Sequence, residues 1–342
     1  MSEVALYRKY RPASFSDVVG QDHVVQALKG ALESTSVGHA YLFYGSRGTG
    51  KTSVARIFAH ELGAMETDIH EIDAATYTGV DNIRALREEA AILPFVSTRK
   101  IYIIDEVHML SKGAFNAFLK LLEEPPAHVV FILATTELEK VPDTIQSRCQ
   151  VYTFKKPTAA AIADTLVKIA SAEGSTLERP AAELVALLAD GSFRDSQSIL
   201  QKVLSTSRDS VITADEVAAI TGAPRADIVA RIIEGLSLNA SERALEALRD
   251  AVRAETDMAV LATILIDRLR MVLLLRYAPS VGAASVADLA ETERAFLAKI
   301  ATDPDSKINS ETLRALLRAA QEVQRSPLPQ LPLELAILER NA

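Results

Sequence analysis

The sequence predicts an α/β domain built on a parallel sheet, followed by two all-helical domains. Two patterns carry that expectation. From residue 24 to about 155, short β-rich apolar runs alternate with amphipathic helical stretches, as strand–helix–strand units around a parallel sheet require. Beyond Lys155-Lys156-Pro157 the strand pattern stops, and an Ala- and Leu-rich helical periodicity runs on to the end.

Taken in order, the expected strands cover residues 40–44, 69–72, 100–104, 129–134 and 151–154, with helices between them. Pro125 and Pro126 close the helix that begins near Lys112, because proline lacks an amide proton and disfavours helix in the residue before it. In the helical part, Gly222 and Pro224 form a breaker pair. The predicted domains are therefore residues 1–157, 158–222 and 223–342. A proline-rich turn over residues 326–332 precedes a short final helix, and no repeat of fixed period is present.

The bulk numbers agree with several ordinary domains. A chain of 342 residues exceeds what one hydrophobic core usually serves. Hydrophobic residues at 49% and charged residues at 24% argue against a disordered or a membrane protein. The single cysteine, Cys149, excludes an internal disulfide framework and a multi-cysteine zinc site, and it fits a reducing compartment, so a cytoplasmic location is expected. The N-terminus shows no apolar run with a small-residue cleavage site, hence no secretory signal is expected. The apolar stretch 258–277 carries Asp267, Arg268, Arg270 and Arg276, so it predicts a buried helix rather than a membrane span. A net charge of −8 argues against a surface coated for bulk nucleic-acid attraction, while leaving room for a local basic lining.

Gly45-Ser46-Arg47-Gly48-Thr49-Gly50-Lys51-Thr52 fits G-x-x-x-x-G-K-[ST], follows an expected strand and opens an expected helix. In that context the backbone amides of Gly45, Gly48, Thr49 and Gly50 wrap phosphates. Lys51 neutralises them, Thr52 ligates Mg2+, Ser53 belongs to the expected ATP-binding set, and the helix dipole adds to the attraction for ATP. The strand 101–104 delivers Asp105 and Glu106 at its C-terminal end, where ligands bind in open α/β sheets. Asp105 is the expected second Mg2+ ligand and Glu106 the base that polarises the attacking water. Ala134-Thr135-Thr136 ends the next strand with hydroxyls able to orient that water. Arg148, in Ser147-Arg148-Cys149, falls at the rim of the domain, and arginine suits a transferring phosphoryl group.

These residues, with Tyr7-Arg8-Lys9-Tyr10-Arg11-Pro12, Val19-Gly20-Gln21, the box from Asp105 to Leu110, Leu122-Glu123-Glu124-Pro125-Pro126, Gly191-Ser192-Phe193-Arg194-Asp195 and the closing 327–334 segment, resemble the bacterial DNA polymerase III gamma/tau subunit family. The resemblance spans almost the whole chain. It implies an AAA+ P-loop NTPase core with a parallel sheet, a small helical lid and an all-α collar. It also implies an ATPase that serves a polymerase holoenzyme without itself polymerising DNA.

On the same basis Thr136 is the expected first sensor, Arg194 the second, Arg148 an arginine finger acting on a neighbour's ATP, and Arg11 and Val19 part of the adenine pocket. The implied partners are other clamp-loader subunits in a pentamer, the sliding clamp and primer-template DNA, with no membrane. Thr78, Asn82 and Arg84 occupy the region where relatives meet template phosphates; ordinary capping by Thr78 or Asp81 competes as a reading. Residues 111–121 are a candidate clamp contact.

Two features depart from the family pattern. The four-cysteine zinc module is replaced by the direct run Leu62 to Ile69, so no zinc is expected; His60, Glu66, Asp68 and His70 read as solvated loop residues. The length resembles the short form, ending after the collar. Two other assignments stay open. A non-catalytic scaffold subunit would carry a degenerate P-loop, and an archaeal-type small subunit or a branch-migration helicase would share parts of the motif set.

Overall fold

The computed structural model describes residues 4–33, 37–207, 209–287 and 289–339. The chain divides into two compact units, residues 1–161 with 191–198, and residues 162–190 with 199–342.

In the first unit, strands β1 (Ala40–Tyr44), β2 (Ile69–Asp73), β3 (Lys100–Asp105), β4 (Val129–Thr135) and β5 (Gln150–Thr153) form one parallel sheet in the order β2-β3-β4-β1-β5. All five expected strands are present, with ends that differ by one residue where Asp73, Asp105 and Thr135 continue the ladder and where β5 begins and ends one residue earlier than expected. Helices α1 (Leu6–Lys9), α2 (Asp22–Glu33), α3 (Lys51–Glu61), α4 (Val80–Ala90), α5 (Lys112–Glu123) and α6 (Asp143–Gln146) accompany them.

Strand alternation feeds two separate cores. Leu42, Tyr102, Ile104, Phe131 and Leu133 face Ile83 and Leu86 of α4 and Phe115, Phe118 and Leu122 of α5. Tyr41, Phe43, Ile101, Ile103 and Ile132 face Leu28 of α2 and Val54, Ile57 and Phe58 of α3. Edge-to-face pairs, Phe118 on Phe131 at 5.3 Å and Tyr41 on Phe58 at 4.8 Å, fix one helix to each face. Because the strands are parallel and in register, Tyr44 opposite Thr135 and Ile104 opposite Leu133, the loops after β1, β3 and β4 emerge from one edge.

The second unit contains α7 (Ala159–Ala172), α8 (Arg179–Leu188), the later part of α9 (Phe193–Thr206), α10 (Ala214–Thr221), α11 (Ala226–Ser237), α12 (Ser241–Arg253), α13 (Met258–Tyr277), α14 (Pro279–Val286), α15 (Glu291–Thr302), α16 (Ser310–Val323) and α17 (Leu331–Leu338). It also holds a parallel pair, β6 (Thr176–Leu177) with β7 (Val211–Ile212). No strand was expected past residue 157; two-residue strands are too short to show alternation. The core is aliphatic, built from Ile232 and Leu236 of α11, Leu248 of α12, Leu261, Leu265 and Leu269 of α13, and Leu316 of α16, and Leu184 and Leu187 of α8 pack against it. Arg268 of α13 is paired with Asp267 and Glu293, and Arg276 donates to the carbonyls of Ile300, Ala301 and Ile308, which explains how this apolar helix carries its charges. Among the described residues, no helix is long and apolar enough to cross a membrane.

Candidate functional site

The P-loop occupies the turn from β1 into α3. Gly50 caps α3 in the left-handed conformation (φ 95°), and Gly48 (φ 73°) approaches Ser192 so closely that a Cβ there would lie 2.0 Å from the serine Oγ. The buried Thr49 Oγ1 donates to the Ser46 carbonyl at 2.9 Å and holds the loop closed on itself. Lys51 is also buried, and its Nζ donates to the carbonyls of Gly45 (2.8 Å) and Ser46 (3.0 Å). Burial pulls the Lys51 pKa down, and the charges of Glu106 and Asp105 oppose that shift.

At the end of β3 the acidic pair meets the P-loop helix. Thr52 Oγ1 donates to Asp105 Oδ2 at 2.8 Å, and the Glu106 amide donates to Asp105 Oδ1 at 2.9 Å. Glu106 has φ 49° and ψ 44°, a left-handed backbone that costs a residue with a Cβ about 1–2 kcal/mol. Such strain persists where surrounding contacts hold it, and here it turns the carboxylate back toward β4. Thr136 Oγ1 donates to Glu106 Oε2 at 3.1 Å. Thr135 takes a different part: it is buried and accepts the Glu137 amide at 3.0 Å. Lys51, Thr52, Asp105, Glu106 and Thr136 thus form one connected cluster, with hard oxygen donors from Thr52 and Asp105 side by side, a set suited to Mg2+.

Comparison with known proteins decides the family. Residues 212–340 match the model of DNA polymerase III subunits gamma and tau domain III, and residues 64–158 match that of the DNA polymerase III delta subunit. The chain is 39% identical to DNA polymerase III subunit tau of Bacillus subtilis (strain 168), over 99% of this chain and 63% of the relative. Identity to subunit tau of Escherichia coli (strain K12) is 34%, over 100% of this chain and 56% of the relative. The chain belongs to the DNA polymerase III gamma/tau family. It spans a little over half the length of these two curated relatives. Among solved structures, the Thermotoga maritima RuvB Holliday junction branch migration motor aligns with a TM-score of 0.55 and 20% identity, over 90% of this chain and 98% of that one, so the AAA+ fold is shared.

Other residues singled out in this gamma/tau chain stand apart from the cluster. Arg148, between α6 and β5, donates to Glu123 Oε1 and to the Thr144 carbonyl, both at 2.7 Å, rather than to any residue of the P-loop. The Arg194 guanidinium is exposed and lies over the Tyr7 ring, 5.0 Å from its centroid. Arg11 and Val19 are exposed, and Ser53 is half-buried on α3.

The α4 region differs from the capping expectation. Its N-cap is Gly79, with no side-chain cap from Thr78 or Asp81. Thr78 instead gives its carbonyl to the Ser111 amide, Asn82 is half-buried, and Arg84 pairs with Asp81 at 3.0 Å.

The run from Leu62 to Ile69 and its neighbours also need a correction. Asp68 is not solvated: it is 1% exposed, and its carboxylate accepts the amides of Phe95, Val96 and Ser97. Burial pushes this carboxyl up, but the three amides outweigh that and hold it well below the usual carboxylate range. His60 pairs with Glu66 and His70 with Glu89, so these residues have separate partners. The Asp68 clamp fixes a loop that presents Leu93 (73% exposed) and Phe95 (86%) to solvent.

Sequence reasoning assigned no role to His108, Glu123 or Glu137. His108 lay inside the recognised acidic box, but its partners come from the end of β4, and residue spacing carries no sign of them.

Proposed function

We propose that this chain is the ATP-hydrolysing subunit of the clamp loader of DNA polymerase III, which uses ATP to open the sliding clamp and set it on primer-template DNA. The observation that carries the reading is the joining of Lys51, Thr52, Asp105, Glu106 and Thr136 at one edge of a parallel sheet, in a member of the gamma/tau family. An intact cluster disfavours a non-catalytic scaffold.

In this reading ATP phosphates exchange with the Gly45 and Ser46 carbonyls for the Lys51 ammonium, while the amides from Gly45 to Thr52 and the α3 dipole receive the negative charge. Thr52 and Asp105 would hold Mg2+, which would offset phosphate charge there. Glu106 accepts the proton of the attacking water, and Thr136, hydrogen-bonded to that carboxylate, orients it. Arg194 leaves Tyr7 to reach the γ-phosphate from the same chain. Arg148 leaves Glu123 and Thr144 to reach the ATP of a neighbouring subunit, a modest exchange because exposed ion pairs contribute only about 0–1 kcal/mol. Arg11 and Val19 line the adenine, and Thr78, Asn82 and Arg84 with the α4 N-terminus receive template phosphates.

We assign residues 1–157 to the nucleotide core, 158–222 to a lid and 223–342 to a collar through which subunits assemble as a cytoplasmic pentamer. Binding ATP at a subunit boundary lets its charge hold neighbours together through Arg148, and hydrolysis releases them.

Steady-state ATP hydrolysis by the reconstituted complex, with and without clamp and primed DNA, tests this. Lys51→Ala is expected to lower the stimulated rate about 100-fold or more. Arg148→Ala is expected to lower it comparably while nucleotide binding persists. Normal hydrolysis by Arg148→Ala removes the trans-acting finger, and a wild-type rate indifferent to clamp and DNA removes clamp loading.

A further inference from the structure

We infer that His108 is the positioning residue that sets the pose of the Glu106 carboxylate, held in turn by Glu137; the inference rests on the ATPase reading above. The His108 side chain is 6% exposed, and each ring nitrogen meets a defined partner. Nδ1 lies 3.0 Å from Thr135 Oγ1 and 3.4 Å from Glu106 Oε2, and Nε2 lies 3.2 Å from Glu137 Oε1. Glu106 Oε2 is the same oxygen that accepts from Thr136, so the imidazole and one hydroxyl define its position from two directions.

The far end of the ring is equally constrained. Glu137 is bound through its amide to Thr135 Oγ1 and through its carboxylate to Lys140 at 2.7 Å. Its carboxyl lies below the ordinary range, chiefly through the Lys140 hydrogen bond and with a contribution from His108. It is therefore an ionised acceptor for Nε2–H, and the ring donates from Nδ1 to Glu106 Oε2 at the same time when it carries a proton on both nitrogens. A carboxylate that orients an imidazole, which in turn orients a second group, is the arrangement that fixes tautomer and ring direction in nucleophilic and metal sites.

The physical need is plain at Glu106. That residue follows the last residue of β3 with a left-handed backbone, and a base works only within hydrogen-bond reach of the water it deprotonates. Among the described residues the polar partners of the His108 ring are Thr135, Glu106 and Glu137, none of them in the P-loop, which separates its effect on the chemical step from an effect on ATP binding.

The test uses single-turnover ATP hydrolysis and nucleotide binding by the full chain in its complex, for wild type, Glu106→Gln, His108→Ala and His108→Asn. His108→Ala is expected to slow hydrolysis about tenfold with the ATP dissociation constant within about twofold of wild type. His108→Asn, which keeps a hydrogen-bonding atom near the Nδ1 position, is expected to recover most of the rate. Hydrolysis at the wild-type rate in His108→Ala overturns the inference, as does an Asn variant no faster than the Ala variant at equal thermal stability. A Glu106→Gln enzyme as fast as wild type instead overturns the ATPase reading beneath it.

Discussion

The two units bury their interiors on different terms. In the first, polar groups go inside together with apolar ones: Gln21, Thr49, Lys51, Asp68, Lys100 and Thr135 are all buried there, and each is tied to a named partner. In the second, the core is almost wholly aliphatic, and its buried polar side chains among the described residues are Ser237 and Thr312. Burying a polar group is unfavourable unless it is fully hydrogen-bonded, so a fold accumulates such groups where something other than stability is required of them. The difference teaches that stability in the helical unit is a matter of packed area, whereas the nucleotide unit depends also on satisfied polar contacts, of which those of Thr49 and Lys51 hold the P-loop and those of Asp68 hold the loop 95–97.

The strongest way to break that comparison is a cavity in the helical unit. Leu269, fully buried near the middle of α13, contacts a core in which little can collapse around a missing side chain. Leu269→Ala is expected to destabilise the protein by about 3–5 kcal/mol, read as a drop in the denaturant midpoint. A loss under about 1 kcal/mol would mean that this core is not what holds the helices.

The matching probe of the nucleotide unit is polar. Asp68→Asn leaves the shape of the side chain but removes the charge that three amides of the loop 95–97 point toward, at an expected cost of about 2 kcal/mol near neutral pH. The pH dependence has a definite sign. A carboxyl held low in the folded state contributes stability above the unfolded value of about 3.9, and that contribution is lost as pH falls through the lower folded value. Wild type should therefore lose stability steeply below pH ~4, and Asp68→Asn should show a shallower slope there in acid titrations followed by circular dichroism. Equal slopes would show that the loop amides do not favour the charged form.

What the sequence made legible follows from the range over which each contact acts. The P-loop, the five strands and the helix closed by Pro125 depend on neighbours in the chain, and they are found where periodicity and motif put them. The side-by-side placement of Thr52 and Asp105 followed from parallel strands sharing one edge. His108, Glu123 and Asp68 were illegible because their partners lie 25 to 29 residues away and no local pattern records the pairing. The Gly79 cap was missed for the opposite reason: Thr78 and Asp81 are good cappers in isolation, but Thr78 lies one residue before the cap position and Asp81 two residues after it. The segment 191–198 shows a third limit, since a stretch lying between helical elements in sequence clusters with the nucleotide unit through Ser192 against Gly48 and Arg194 over Tyr7.

The smallest predicted effect sharpens the comparison from the helical side. Asp257 caps α13, accepting the amides of Ala259 and Val260 at 2.8 and 3.1 Å, and its own amide donates to the Gly222 carbonyl. Loss of an N-cap ordinarily costs about 1 kcal/mol, because two helix amides return to water. In a helix of 20 residues anchored by Leu261, Leu265 and Leu269, fraying of the first turn leaves the buried residues in place, so Asp257→Ala should stay near that figure in urea titrations. A loss approaching that of Leu269→Ala would mean that the polar contact linking residue 222 to the start of α13 organises the unit as strongly as its packing does. The helical unit would then resemble the nucleotide unit in kind, and the contrast between them would fail.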